Sequence, residues 1–443
     1  MVGSGRVEGS DGSKGSTGSR GSGGSRGSGS VGFFHCAVPM LAVIVGGCVG
    51  VDVAVGRTDP GVLALADRSN AHLSLAADGD RVGAVWAASN SAGTDIYAAF
   101  SRDDGLHFGP PVRVNDVPGD ANAGGEQPPR IVIKDERVNV IWVSKQGSAA
   151  AIRAAASNDG GATFARATTI TPSGLTGARG WESAALSEDG ALHAVWLDGR
   201  NAVPAAHDHH ARSAPNAPAA ARAPMRQDIY HAIWRGTDAP VETMVAANVC
   251  FCCKTAVVSR GREVYVAWRH LFDGGIRDIA VARSSDGGAT FSAPVRVSPD
   301  NWKIDACPDD GPAMAVDAND ALHIVWPTMV HEPAGDRIAI FEAESTNGGA
   351  TFTPRRRVDT GVASAAHPRI AIGPAGAAVV WDELAEGERR GWMRIADGRP
   401  VSLSAAAATY PAIAATTRAF VVGWTEQDGE RAIVRTRAIR FGR

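Results

Sequence analysis

The stretch Val249-Cys250-Phe251-Cys252-Cys253-Lys254 places three cysteines within four positions, in a chain that has six altogether. A fourth, Cys307, lies in the segment DACPDDGP. Sulfur at this density supports three kinds of chemistry. Two thiols can close a disulfide staple, several can bind a soft metal such as copper or zinc, and a thiolate can react. The C-x-C-C spacing is tighter than that of most structural zinc sites, which disfavours a simple zinc knuckle. His270 and His331, beside Met329, are candidate companions for the sulfurs. The tract holding His207, His209 and His210 reads more simply as solvated loop.

Composition limits what the elements around these residues can be. The chain has 443 residues, a formal net charge of −3 and 44% apolar residues. That is enough apolar material for a packed core, and the interspersed charges give no nucleic-acid face. Residues 1–30 are almost all Gly and Ser and read as disordered. Residues 31–48 form a short apolar run with the length of a signal-peptide core, and Val45-Gly46-Gly47-Cys48 resembles a lipobox whose cysteine becomes lipidated. Residues 49–60 read as a linker. The expectation is an exported monomer, whether periplasmic, envelope-anchored or extracellular. It would touch a membrane only through that anchor and would meet an environment that oxidises cysteine.

Beyond residue 60 the sequence repeats. Alternating apolar residues end in tryptophan at Trp86, Trp142, Trp196, Trp268, Trp326, Trp381 and Trp424, at intervals of 56, 54, 72, 58, 55 and 43 residues. Period-two alternation marks strands. A short strand precedes each tryptophan strand, and one or two often follow, so the unit is a four-stranded propeller blade. Seven blades are favoured over six, with GVLALAD (residues 61–67) supplying the strand that closes the last blade. Residues 198–226 read as a flexible insertion in the third unit.

Between third and fourth strands a sharper motif recurs: SRDDGLHF, SNDGGATF, SSDGGATF and STNGGATF, centred on Asp103, Asp159, Asp286 and Asn347. An acidic or amide side chain accepts turn N–H groups, glycine permits positive φ, and an aromatic plugs the apolar layer. S-x-D-x-G-x-T-F resembles the Asp-box of bacterial neuraminidases, so residues 61–443 look like an all-β propeller of the sialidase-like, Asp-box type. In that family the Asp-boxes are structural, and the active face lies away from them.

The resemblance also implies what a sialidase site would need: three arginines to grip a carboxylate, a tyrosine nucleophile paired with a glutamate, and an aspartate as acid and base. Arg130, Arg269 and Arg369 are the candidate arginines, Tyr410 the candidate nucleophile, with Glu182 and Asp309 beside them. The F-R-I-P signature common among bacterial sialidases is absent, so the set is not matched to a motif. The leading reading is a propeller that binds a small-molecule, glycan or protein ligand at its channel mouth. A quadrant of Cys250, Cys252, Cys253, Cys307, His270 and His331 would be stapled or metal-loaded. An exo-sialidase and an envelope scaffold are the alternatives.

Overall fold

A computed structural model describes residues 56–57, 60–146, 149–172, 177–202, 226–236, 238–304, 306, 308–333 and 335–441. Cys48, the Gly/Ser-rich residues 1–30, Cys307 and the histidines His207, His209 and His210 lie outside the described residues.

Seven antiparallel sheets follow one another along the chain, and they form a seven-bladed propeller. The inner strands, first to seventh, are Ser69–Asp78, Arg130–Lys134, Arg179–Leu186, Ala256–Arg260, Ala313–Val316, Ser364–Gly373 and Thr409–Ala415. These strands contact each other in a closed ring. The seventh blade supplies three strands of its own, and the segment Gly61–Leu63 completes it by pairing with Arg431–Arg440: Gly61 lies opposite Thr436 and Leu63 opposite Val434. The two ends of the propeller are thus held in one sheet, which leaves no open edge between first and last blades.

The tryptophans make the ring cohere. Each of the seven is at most 1% exposed. Each belongs to the apolar layer between its own blade and the one before it, from Trp142 against the first blade round to Trp86 against the seventh. A buried indole N–H needs an acceptor. Trp196, Trp381 and Trp424 find one two residues downstream on Asp198, Glu383 and Glu426.

In the four motif turns the serine hydroxyl donates to the acidic or amide residue two positions on and accepts the N–H of the glycine four positions on. Phe108, Phe164, Phe291 and Phe352 plug the apolar layers beside them. Strand polarity puts these turns on one face of the ring, and the entrances to the inner strands on the other.

Two buried histidines in the third blade give the fold an acid limit. His193 Nδ1 lies 2.9 Å from His231 Nε2, with the rings stacked. Burial lowers their pKa values to about 4 and about 3 from the ordinary 6.5. Both are therefore neutral in the fold, and the stability this represents is present above pH 6.5 and is lost as pH falls through about 4. His231→Phe keeps a ring and removes one titration. Its Tm should fall less steeply than wild type between pH 6.5 and 4. Parallel Tm–pH curves would refute this account.

Candidate functional site at the channel mouth

On the face away from the motif turns, each inner-strand entrance contributes one side chain to a ring: His72, Glu126, Trp181, Lys254, Asp310, His367 and Tyr410, from the first to the seventh blade. Five of the entrances hold a residue in the left-handed region: His72 (φ 62°), Trp181 (55°), Asp309 (54°), His367 (59°) and Tyr410 (50°). At four of them the pairing of inner and second strand slips by a bulge at that residue. Non-glycine residues rarely adopt this conformation, and it concentrates where a bulge re-aims a side chain.

The loop before the second blade crosses onto the other blades. Glu126 Oε2 meets Lys254 Nζ at 3.0 Å, and its Oε1 meets His367 Nε2 at 2.8 Å. Lys254 has no exposed side-chain surface and also meets Asp310 at 2.5 Å. His367 Nδ1 lies 2.7 Å from Asp382, which also holds Arg389 at 2.6 Å and accepts the Tyr410 N–H at 2.8 Å. The Tyr410 ring lies on His367, centroids 4.1 Å apart. A Cβ on Gly125 would fall 2.0 Å from the Tyr410 ring, so only glycine lets the loop pass there.

The electrostatics follow from this geometry. Burial would lower the His367 pKa, but hydrogen bonds to Asp382 and Glu126 outweigh it and lift it to about 9, so the ring is an imidazolium at neutral pH. Burial works against ionised Glu126, yet Lys254 and His367 hold its carboxyl well below the usual range. Burial, then the nearby Glu126 and Asp382 carboxylates, push Tyr410 up to about 12. Three carboxylates (Glu126, Asp310, Asp382) meet three cations (Lys254, His367, Arg389), and the ring balances.

One step further along the inner strands the balance ends. A cavity of about 210 Å³ is lined by at least one inner-strand or entrance residue from every blade, among them Ser74, Arg130, Ser183, Thr255, Arg369 and Ala412. Arg130 and Arg369 make no ion pair among the described residues; their hydrogen bonds go to the backbone oxygens of Glu182 and Pro368. Burial, followed by the charge of Arg369, lowers Arg130 to about 9, and burial lowers Arg369. The Glu182 side chain is buried and makes no ion pair among the described residues; burial raises it to about 7, opposed by the charge of Arg130 and by backbone N–H groups. In the ring above, His72 Nδ1 and Trp181 Nε1 have no hydrogen-bond partner among the described residues. Such vacancies are uncommon in folded proteins.

The sequence-predicted residues therefore divide. Arg130 and Arg369 come together in the cavity. Tyr410 stands at the ring, where the carboxylates acting on it are Glu126, Asp382 and Asp310 rather than Glu182. Asp309 adjoins the ring with its surface open to solvent on one side, and partial desolvation of its carboxyl, followed by the Glu126 charge, raises its pKa. Arg269 is drawn elsewhere: its guanidinium donates to the carbonyls of Arg277, Pro327 and Asp310 and stacks over Trp302. The sulfurs of Cys250, Cys252 and Cys253 all lie within 4.8 Å of one another, and among the described residues no histidine joins them. His270 accepts from the Trp268 indole, and His331 pairs with Asp336 across its own hairpin. Glu126, Lys254, Asp382, His72, Trp181 and His367 escaped sequence reasoning, whereas the sequence places Asp310 beside Asp309 on this face. A signal for four ring members exists: aligned on their strands, NAHLS, RGWES, AAHPR and ATYPA put His72, Trp181, His367 and Tyr410 in one column.

A larger groove of about 620 Å³ lies on the opposite face, but there both lining arginines are paired, Arg260 with Asp320 and Arg283 with Glu263.

No protein-family model and no curated protein matches the chain. Among solved structures it is similar to a PL25 ulvan lyase bound to -[GlcA(1-4)Rha3S]-, at 11% identity and TM-score 0.51 over 87% of this chain and 96% of that one. It is also similar to a Dyadobacter fermentans protein of unknown function, at 12% identity and TM-score 0.47 over 87% and 99%. Trypanosoma rangeli sialidase aligns at 9% identity and TM-score 0.45 over 87% of this chain and 59% of that one. At such identities the likeness is one of fold alone, a β-propeller.

Glu182 yields a pH test. Its raised pKa means the fold favours the neutral acid, so the associated stability is present below pH 4.5 and is lost as pH rises through about 7. Glu182→Gln stays neutral. Its Tm should exceed that of wild type at pH 8 by more than at pH 5, by roughly a few degrees. An equal offset at both values would contradict the burial of an unpaired carboxyl.

Proposed function

We propose that the protein binds a carboxylated saccharide at its channel mouth, with the acid group received between Arg130 and Arg369. The observation that carries this reading is the pair of desolvated guanidiniums lining one cavity without an ion pair among the described residues. Like charges held together in a desolvated site are costly, and an anion between them relieves the cost. Guanidinium suits a carboxylate because it donates two parallel hydrogen bonds. The unpartnered His72 and Trp181 nitrogens above offer further polar contacts to the sugar. The ligand class also draws on the lyase of like fold, whose bound repeat contains a uronate.

Binding is favoured over glycoside hydrolysis. A tyrosine nucleophile needs a basic partner, and the carboxylate beside Tyr410 that could serve, Glu126, is neutralised by Lys254 and His367. The cysteine turn enters this reading as a support of the mouth rather than a zinc centre, because among the described residues only Cys250 and Cys253 are free thiols and no imidazole stands with them. Export fits a glycan ligand and remains part of the proposal.

Titration calorimetry with glucuronate-containing oligosaccharides tests it. Arg130→Gln and Arg369→Gln should each weaken binding by about tenfold or more while Tyr410→Phe retains it, since a charge-assisted pair contributes roughly 1.5–3 kcal/mol. Equal affinity for neutral and acidic oligosaccharides, or indifference to both arginine substitutions, would overturn the reading. Turnover that vanishes in Tyr410→Phe would favour hydrolysis instead.

A further inference from the structure

The turn that joins the third blade to the fourth contains chemistry that ligand binding does not use. Its outer strand Val241–Cys250 ends at Cys250, and the next inner strand begins at Ala256. Between them the chain folds so tightly that Cys250 Sγ and Cys253 Sγ are 3.6 Å apart, in contact but not bonded, and both are free thiols. The C-x-x-C spacing places both sulfurs within a single turn, and a small rotation would bring them to bonding distance. Arg277 Nη1 lies 3.7 Å from Cys250 Sγ, and its other contact is the Ala306 carbonyl. Trp181 and Phe251 pack on the cluster, and all three cysteines are at most 3% exposed.

We propose that Cys250 and Cys253 form a redox-active dithiol that hydrogen peroxide or a similarly small hydroperoxide converts to a disulfide. Three observations carry this together: two free sulfurs in contact, a guanidinium that stabilises a thiolate on one of them, and a cover that admits only a small oxidant. The sulfurs are also unequal. The hydrogen bond from Cys253, with help from Arg277 and against burial, lowers Cys250 to about 6, whereas burial raises Cys253. Cys250 is the attacking sulfur and Cys253 the resolving one.

The steps balance. The Cys250 thiolate attacks one peroxide oxygen, the O–O bond breaks, and hydroxide leaves to become water. Cys250 is then a sulfenic acid, oxidised by two electrons, and the peroxide is reduced. Cys253 sulfur attacks Cys250 sulfur, the S–O bond breaks, and a second water leaves carrying the Cys253 proton. Two thiols and one hydrogen peroxide give one disulfide and two waters. The third sulfur, Cys252, is not a free thiol, so the dithiol is the pair Cys250 and Cys253. Lys254 directly follows Cys253, so the closed turn abuts the residue that holds Glu126 and Asp310.

The test is intact-mass and peptide analysis of the full chain, with thiols alkylated before and after equimolar hydrogen peroxide. Before treatment both Cys250 and Cys253 should take up alkylating reagent. Afterwards both should be refractory and joined in one linked peptide, and reductant should restore them. Cys253→Ser should instead trap a sulfenic acid on Cys250 that a dione probe labels. The proposal is overturned if peroxide leaves both thiols alkylatable. It is equally overturned if native mass spectrometry of the untreated protein finds a stoichiometric copper or zinc ion. The wild-type mapping decides the matter even where Cys253→Ser does not fold.

Discussion

The ammonium of Lys254 has no exposed surface, and the structure of the mouth depends on its two carboxylates. Removing a charge from water costs several kcal/mol, and the cost is recovered only where geometry and partners are good. Here Asp310 comes from the fifth entrance and Glu126 from the loop before the second, so one cation joins two segments far apart in sequence, which His367 also links. Glu126 then orients His367, and Asp382 anchors both His367 and the backbone of Tyr410. A pair broken on either side would strand a buried charge. The ring is therefore a rigid frame rather than a set of mobile acids and bases. Its charges cancel among themselves and leave the excess on the arginines beneath.

Rigidity of this sort suits recognition. Polar groups held in place before a ligand arrives lose little freedom when it binds. The strain of the left-handed residues serves the same end, because a bulge that turns His72, Trp181, His367 and Tyr410 out of the strand's own alternation aims them at the mouth. The opposite face has a larger groove whose arginines are both paired, and volume alone is a poor guide to where a protein binds.

The propeller was legible in the sequence because its determinants are local. Trp86 to Trp424 each end a period-two strand, and the S-x-D-x-G turns sit at a fixed place in their blades, so blade count and closure by residues 61–63 could be reasoned out. The mouth was less legible because its pairs are distant along the chain: Glu126 meets Lys254 and His367 only after the ring closes. Arg130 and Arg369 stood out because both follow a proline at a strand entrance. Arg269 follows its tryptophan by one position, where alternation turns it away from the indole side into a nest of carbonyls. Glu182 illustrates the same sensitivity, since the bulge at Trp181 gives the mouth to its neighbour and buries the carboxylate.

The central claim is that the channel holds a site for an anion between two arginines. Its most direct measurement is anomalous diffraction from crystals soaked in selenate at modest concentration. The account predicts an ordered selenium peak within hydrogen-bonding reach of Arg130 and Arg369, in the cavity below Lys254 and His367. An empty cavity, with selenate ordered only on the outer surface, would contradict it.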